Sequence, residues 1–418
     1  MFIQNQINKV KAVYNDYPRQ FWLVMGAFFI DRVGGALIFP FFTLYITKKF
    51  GVGLSEAGLL FGVHFVSSIV GTTIGGALAD RMGRKGTLIF GLLSSAFSML
   101  LMGFVNNLTA FFLVALISGL FSSVGDPAGH AMVADLLPEE KRPEGYGIWR
   151  VSANLAVVIG PAIGGLLAAY SYLYLFITDA IASTITSIVI FILVKETHKA
   201  EDVSKAKGES FFSTVKGYGD VFKNSAFLVF MFIQIIVVLV YMQMNTTLGV
   251  YLRDHHQITE LYFGYILSLN AAMVVLFQFP ITRRIRNFPP MIVMTVGTLL
   301  YSIGFAMYGF VAIYPLFLLA MVIITIGEML VSPVGTSIVA SFAPEDKRGR
   351  YMAVFSYSWT LPNIFGLYVS GLIIDNHDPR ILWYIAGILG TFAAFGYYLL
   401  HLSEKRKTSA AQIPEIRA

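Results

Sequence analysis

Residues 127–166 read PAGHAMVADLLPEEKRPEGYGIWRVSANLAVVIGPAIGGL, and residues 333–372 read PVGTSIVASFAPEDKRGRYMAVFSYSWTLPNIFGLYVSGL. Laid over each other without a gap, they share thirteen of forty positions, where random pairing would give roughly two or three. The shared residues include Pro127/Pro333, Gly129/Gly335, Ala134/Ala340, Pro138/Pro344, Glu139/Glu345, Lys141/Lys347, Arg142/Arg348, Gly160/Gly366 and Gly165/Gly371. The offset of 206 residues is about half of the 418 in the chain, so the protein reads as a duplicated half.

The chain is 56% hydrophobic and 13% charged, with a mean hydropathy of +0.70. A soluble domain carries about 25% charged residues, so this much apolar surface requires lipid to cover it. With no Cys, disulfides and thiolate metal sites are excluded. Twelve apolar segments lie near residues 20–46, 54–79, 87–105, 109–137, 145–170, 173–194, 225–251, 260–282, 289–310, 315–343, 351–374 and 380–402. Each reaches the roughly 20 residues that a membrane-crossing helix needs. The first follows polar and basic residues without a small-residue cleavage site, which predicts a retained helix. An apolar chain with duplicated halves is the pattern of a transporter whose site lies at the repeat interface.

Charge sets the orientation. With the N-terminus in the cytoplasm, inner segments hold 24 of the 30 Lys and Arg residues and the outer loops hold Lys48, Lys49, Arg253 and Arg380. This asymmetry predicts a multi-pass protein of the cell membrane with both termini cytoplasmic. The net charge of +6 is then topology and attraction to anionic lipid heads, not a nucleic-acid footprint. The long polar stretch 195–224 falls between spans six and seven. The expected domains are a first six-helix bundle over 1–194, a cytoplasmic linker over 195–224 and a second bundle over 225–418. Phe211, Phe212, Val215, Tyr218 and Phe222 interleave with charges in the linker, which reads equally as an amphipathic surface helix or a solvated tether.

Three motifs carry a resemblance. After the second span comes Gly76-Ala-Leu-Ala-Asp80-Arg81-Met-Gly83-Arg84-Lys85, which closely resembles the G-x-L-A-D-R-x-G-R-K loop of the major facilitator superfamily. Span five carries Gly160-Pro161-Ala-Ile-Gly164-Gly165, which resembles the G-P-x-x-G-G run of the superfamily's antiporters. Span ten carries Gly327-Glu328-Met-Leu-Val-Ser-Pro333, which resembles that of bacterial drug/proton antiporters. The resemblance implies an all-α membrane protein with twelve transmembrane helices in two pseudo-symmetric six-helix bundles. It also implies a conformational latch of Gly76, Asp80, Arg81, Gly83, Arg84 and Lys85, with Asp135 pairing Arg84. Physically, Gly76 would admit a neighbouring helix, and so would the span-five glycines.

A carboxylate inside a membrane helix costs about 2.5–3.5 kcal/mol on insertion scales, so each one calls for a task. Glu328 is the first proton-coupling candidate, with Asp31 and Asp126 behind it. Asp31 and Arg32 are adjacent and point about 100° apart, so each needs a partner elsewhere, and Asp126 suits Arg32. The further cavity-lining candidates are Arg32, Phe39, Tyr241, Gln243, Asn245, Asn270 and Trp359. His64 and His130 lie in membrane segments and are expected to be hydrogen-bonded and neutral, and Asp179 on span six is expected to be structural. No metal site or cofactor is expected, and the absence of a P-loop, G-x-S-x-G run or dinucleotide fingerprint argues against an enzyme. The resulting expectation is a monomeric secondary transporter exchanging protons for lipophilic or cationic small molecules. A symporter of peptides, sugars or organic acids would share the fold, and a membrane receptor or enzyme is a remoter alternative.

Overall fold

A computed structural model describes residues 14–197, 221–344 and 348–412. Helices account for nearly all of these residues, because a segment in lipid must satisfy its own backbone hydrogen bonds. Two compact units emerge. One comprises Met1–Phe50 and Val63–Gly208, the other Gly51–Gly62 and Glu209–Ala418.

The first unit contains α1 (Arg19–Ile38), α2 (Phe42–Phe50), most of α3 (Leu54–Met82), α4 (Arg84–Phe104), α5 (Leu108–Ser122), α6 (Gly125–Asp135), α7 (Arg142–Tyr170) and α8 (Tyr172–Leu193). The second contains α9 (Ser225–Thr246), α10 (Leu248–His256), α11 (Glu260–Ile285), α12 (Pro290–Phe310), α13 (Tyr314–Phe342), α14 (Arg348–Asn376) and α15 (Arg380–Gln412). Several spans are broken within the membrane, and the sequence gives the causes. Pro40 lacks an N–H and tightens Phe39–Phe41 into a 3₁₀ turn between α1 and α2. At Thr247, the hydroxyl turns back to the Gln243 carbonyl and side chain where α9 gives way to α10.

The same packing pattern appears inside each unit. In the first, α1 packs on α7 and α8, and α4 on α8 and α5. In the second, α9 packs on α14 and α15, and α12 on α15 and α13. Large apolar side chains such as Phe279, Phe310, Val151 and Ile388 remain more than two-thirds exposed, which suits a lipid-facing surface.

Among the described residues, eleven helical stretches are long and apolar enough to cross a bilayer, not the expected twelve. The segment expected at 351–374 does form α14, which is 29 residues long. Ser356, Ser358, Thr360 and Asn363 make it less apolar than the others. Of the linker, residues 198–220 lie outside the described residues, and the expected amphipathic helix with them.

The first turns of α3 group with the second unit. There the Asp375 carboxylate accepts hydrogen bonds from the backbone N–H of Leu54 at 2.9 Å and of Ser55 at 2.8 Å, and from the Ser55 hydroxyl at 2.6 Å. It acts as an N-cap supplied by α14, binding the free donors of a helix start. Replacing Asp375 by Ala is expected to cost about 1 kcal/mol, read as a lower thermal unfolding midpoint in detergent. Asp375→Asn, which keeps an acceptor oxygen, is expected to recover part of the loss.

Candidate functional site

In the second unit, Glu328 projects from α13 and is met by side chains of two other helices. Its Oε1 accepts from the Tyr241 hydroxyl of α9 at 3.0 Å, and its Oε2 from the Asn270 amide of α11 at 2.8 Å. The same Asn270 nitrogen also donates to Thr325 Oγ1 at 3.0 Å, and Thr325 donates in turn to the Met321 carbonyl at 2.7 Å. The Tyr241 ring packs against Tyr301 at 5.7 Å and edge-on to Trp359 of α14 at 6.0 Å. Both donors to Glu328 are neutral, and no described Lys or Arg pairs with it. The carboxylate is held in position while its charge stays free to be matched by a proton or a cation.

Four residues proposed from sequence thus converge: Glu328, Tyr241, Asn270 and Trp359. Gln243 does not join them. It is 4% exposed, and its amide is used within its own turn, donating to the Leu239 carbonyl and accepting from Thr247. A buried amide satisfied at both ends has nothing to offer a solute. Asn245 is half-buried and hydrogen-bonds to none of the described residues. Thr325 and Tyr301 are the members that sequence reasoning missed. Thr325 lies one turn from Glu328 on the same face, a spacing that could have flagged it; Tyr301 had no such signal.

The first unit holds a different arrangement. Arg32 and Asp126 approach as expected, loosely, with 3.8 Å between Nη2 and Oδ1. Asp31 turns away from Arg32 and accepts from the Ser183 hydroxyl of α8 at 2.7 Å. A cavity of about 150 Å³ opens beside Asp31, Arg32 and Asp126, with Phe28 and Trp149 among its walls. His130, one turn after Asp126, stacks on Trp149 at 4.8 Å. His64 bonds to the Ala115 carbonyl at 3.3 Å, the hydrogen bond expected of it. Phe39 lies in the 3₁₀ turn after α1.

At the loop motif, Arg84 forms an ion pair with Asp135, the partner the resemblance implied. The side chains of Asp80 and Arg81 lie outside the described residues. Gly83 adopts φ +95°, a left-handed conformation that favours glycine. A Cβ there would come within 2.7 Å of Glu196 Oε2. Glu196 caps α4 by accepting from the backbone N–H of Arg84 and of Lys85, each at 3.1 Å. This acid, 112 residues from Arg84, is part of the motif's geometry and was invisible in the sequence. Lys85 donates to the Phe191 carbonyl at 2.7 Å. The expectation for Gly76 is corrected, because a Cβ there would meet open space. Its neighbour Gly75 makes the close approach, to the Val124 backbone. On α7, Gly160 and Gly164 lie directly against Ala36 and Leu37 of α1, with Pro161 and Gly165 buried beside them.

The helical fold and the loop motif agree with the family match. The sequence model described as Major Facilitator Superfamily matches residues 24–331 and 244–418. The chain belongs to the major facilitator superfamily. It is a multi-pass membrane transporter of small molecules, not an enzyme. It is 30% identical over 418 residues to a Na(+), Li(+), K(+)/H(+) antiporter from Planococcus maritimus, covering 92% of this chain and 96% of that one. It is 20% identical over 371 residues to the quinolone resistance protein NorA of Staphylococcus aureus, covering 88% and 94% respectively. Among solved structures, the nucleoside transporter NupG superposes with a TM-score of 0.74 at 14% identity, over 92% of this chain and 99% of that one. A POT family transporter superposes with a TM-score of 0.74 at 17% identity, over 93% and 96%. At these identities the structures establish the fold.

The Arg84–Asp135 pair is 13% and 22% exposed at its side chains. Single Ala substitutions at either position are expected to destabilise the protein, and the double variant to fall short of their sum by about 1–2 kcal/mol. Thermal unfolding of the four proteins in detergent measures this coupling.

Proposed function

We propose that this transporter is a proton-coupled antiporter that exports cationic or lipophilic small molecules, with Glu328 as the group that exchanges proton for substrate. The observation that carries this reading is a membrane carboxylate fixed by two neutral donors and matched by no cation among the described residues. Protonated, the site is neutral. When the O–H bond breaks and the proton leaves, the carboxylate attracts a cation, and the rings of Tyr241, Tyr301 and Trp359 add cation–π attraction to an organic one. The G-P-x-x-G-G run of α7 and the antiporter relatives support exchange over symport.

The site works by alternating access, with bundles 1–194 and 225–418 carrying it from one side of the membrane to the other. A proton moving inward down 100 mV releases about 2.3 kcal/mol, to which a pH gradient adds. The chain acts as a monomer in the cell membrane with its termini in the cytoplasm, where the loop motif 76–85 and the linker 195–224 also lie. A second reading, exchange of an alkali cation for a proton at the same carboxylate, is favoured by the Planococcus maritimus relative.

In inverted vesicles energised by a pH gradient, Glu328→Gln is expected to lower exchange at least about tenfold, since a hydrogen bond to a charged group is worth about 1.5–3 kcal/mol. Full exchange by this variant would remove Glu328 as the coupler. Lipophilic dyes, Na⁺ and K⁺ tested side by side as the exchanged species separate the two readings.

A further inference from the structure

α8 carries a carboxylate that the cycle above leaves without a task. Asp179 lies one turn before Ser183, on the same helix face. It is 3% exposed and takes no hydrogen bond from the described residues. Its Oδ1 is turned onto α1, where a Cβ added to Gly34 would lie 2.6 Å from it. Gly34 is one turn after Asp31, whose own carboxylate is held from α8 by Ser183 at 2.7 Å. Two acids from two helices therefore lie along one seam, about one helical turn apart. Ala182 closes it against Gly34, and Thr186 bonds across it to the Ala27 carbonyl at 2.8 Å.

The charges around the pair are few. Asp31 is in electrostatic reach of Arg32 and Asp126, and Asp179 of Asp31. α4, packed on α8, carries no charged residue after Lys85, and α7 carries none after Arg150. Arg32 is engaged with Asp126. Two negative charges along one seam repel, and a proton on either carboxylate removes that repulsion. The close packing of Ala182 on Gly34 argues against a metal ion in the seam. The cavity of about 150 Å³ opens on Asp31 but is not lined by Asp179.

From this geometry we infer that Asp31 and Asp179 form a second proton site, with Asp31 exchanging the proton with the cavity and Asp179 storing it. The inference rests on the proton-coupled reading of the transporter and adds a carrier in the first unit. On release, the carboxyl O–H bond breaks and the proton passes through Asp31 to water in the cavity. The pair gains one negative charge, and Arg32, held by Asp126 at 3.8 Å, turns toward it.

The test is infrared titration of the purified transporter, which reads the carbonyl stretch of protonated buried carboxyls, together with the protons moved per substrate in proteoliposomes. Asp179→Asn and Asp31→Asn are each expected to delete the same titrating band, distinct from the band deleted by Glu328→Gln. Asp179→Asn is also expected to halve the protons moved per substrate while substrate affinity is kept. If Asp179→Asn leaves both bands and the proton count intact, the pair is not a proton site and the Glu328 reading stands. If Glu328→Gln deletes no band while both Asp variants do, the Glu328 reading falls and the pair remains. Should Asp179→Asn fail to fold, Asp31→Asn reads the same shared proton from α1, and an intact spectrum there overturns the inference.

Discussion

Hydrocarbon offers a polar group neither a hydrogen bond nor a counter-ion. In this chain the described backbone meets that constraint by remaining mostly helical, and two of the breaks have a local remedy. Pro40 has no N–H to satisfy, and Thr247 turns its hydroxyl back to Gln243. Many side chains obey the same constraint. Ser302 spends its hydroxyl on the Gly387 carbonyl, and Tyr397 donates to Gln234. After these needs are met, the carboxylates stand out as groups with chemistry left over.

The two units solve the problem differently on a shared packing plan. The second sets one acid, Glu328, among neutral donors and aromatic rings. The first gathers several charges: Asp31 bonded to Ser183, Arg32 loosely held by Asp126, and Asp179 buried against α1. One holds a single acid among neutral groups, the other three acids around an arginine. Duplication preserved the helix pairing, while the polar residues diverged.

Much of the candidate site was legible because polar residues in an apolar run are conspicuous. Glu328 in Gly327–Pro333 needed no structure to be singled out, nor did the pairing of Arg84 with Asp135 once the loop resemblance was seen. Residue type alone could not rank the neighbours. Gln243 and Asn270 are both amides in membrane helices, yet one is spent inside its own turn and the other reaches Glu328. Gly75 and Gly76 are adjacent, and only Gly75 faces a neighbouring helix. Asp179 read as structural from its place on span six, and its orientation onto Gly34 of α1 was not legible.

The sequence by itself determined the membrane setting, the duplication and the family, since these follow from composition, periodic apolar runs and short motifs that need no contacts to be read. Only the tertiary structure decided which face of each helix turns inward and which side chains from different helices share a carboxylate. The reason is geometric. Successive residues on a helix differ by about 100° in direction, and the rotation of each helix about its axis is fixed by packing against residues far away in the chain, as with Glu196 on Gly83 or Ser183 on Asp31.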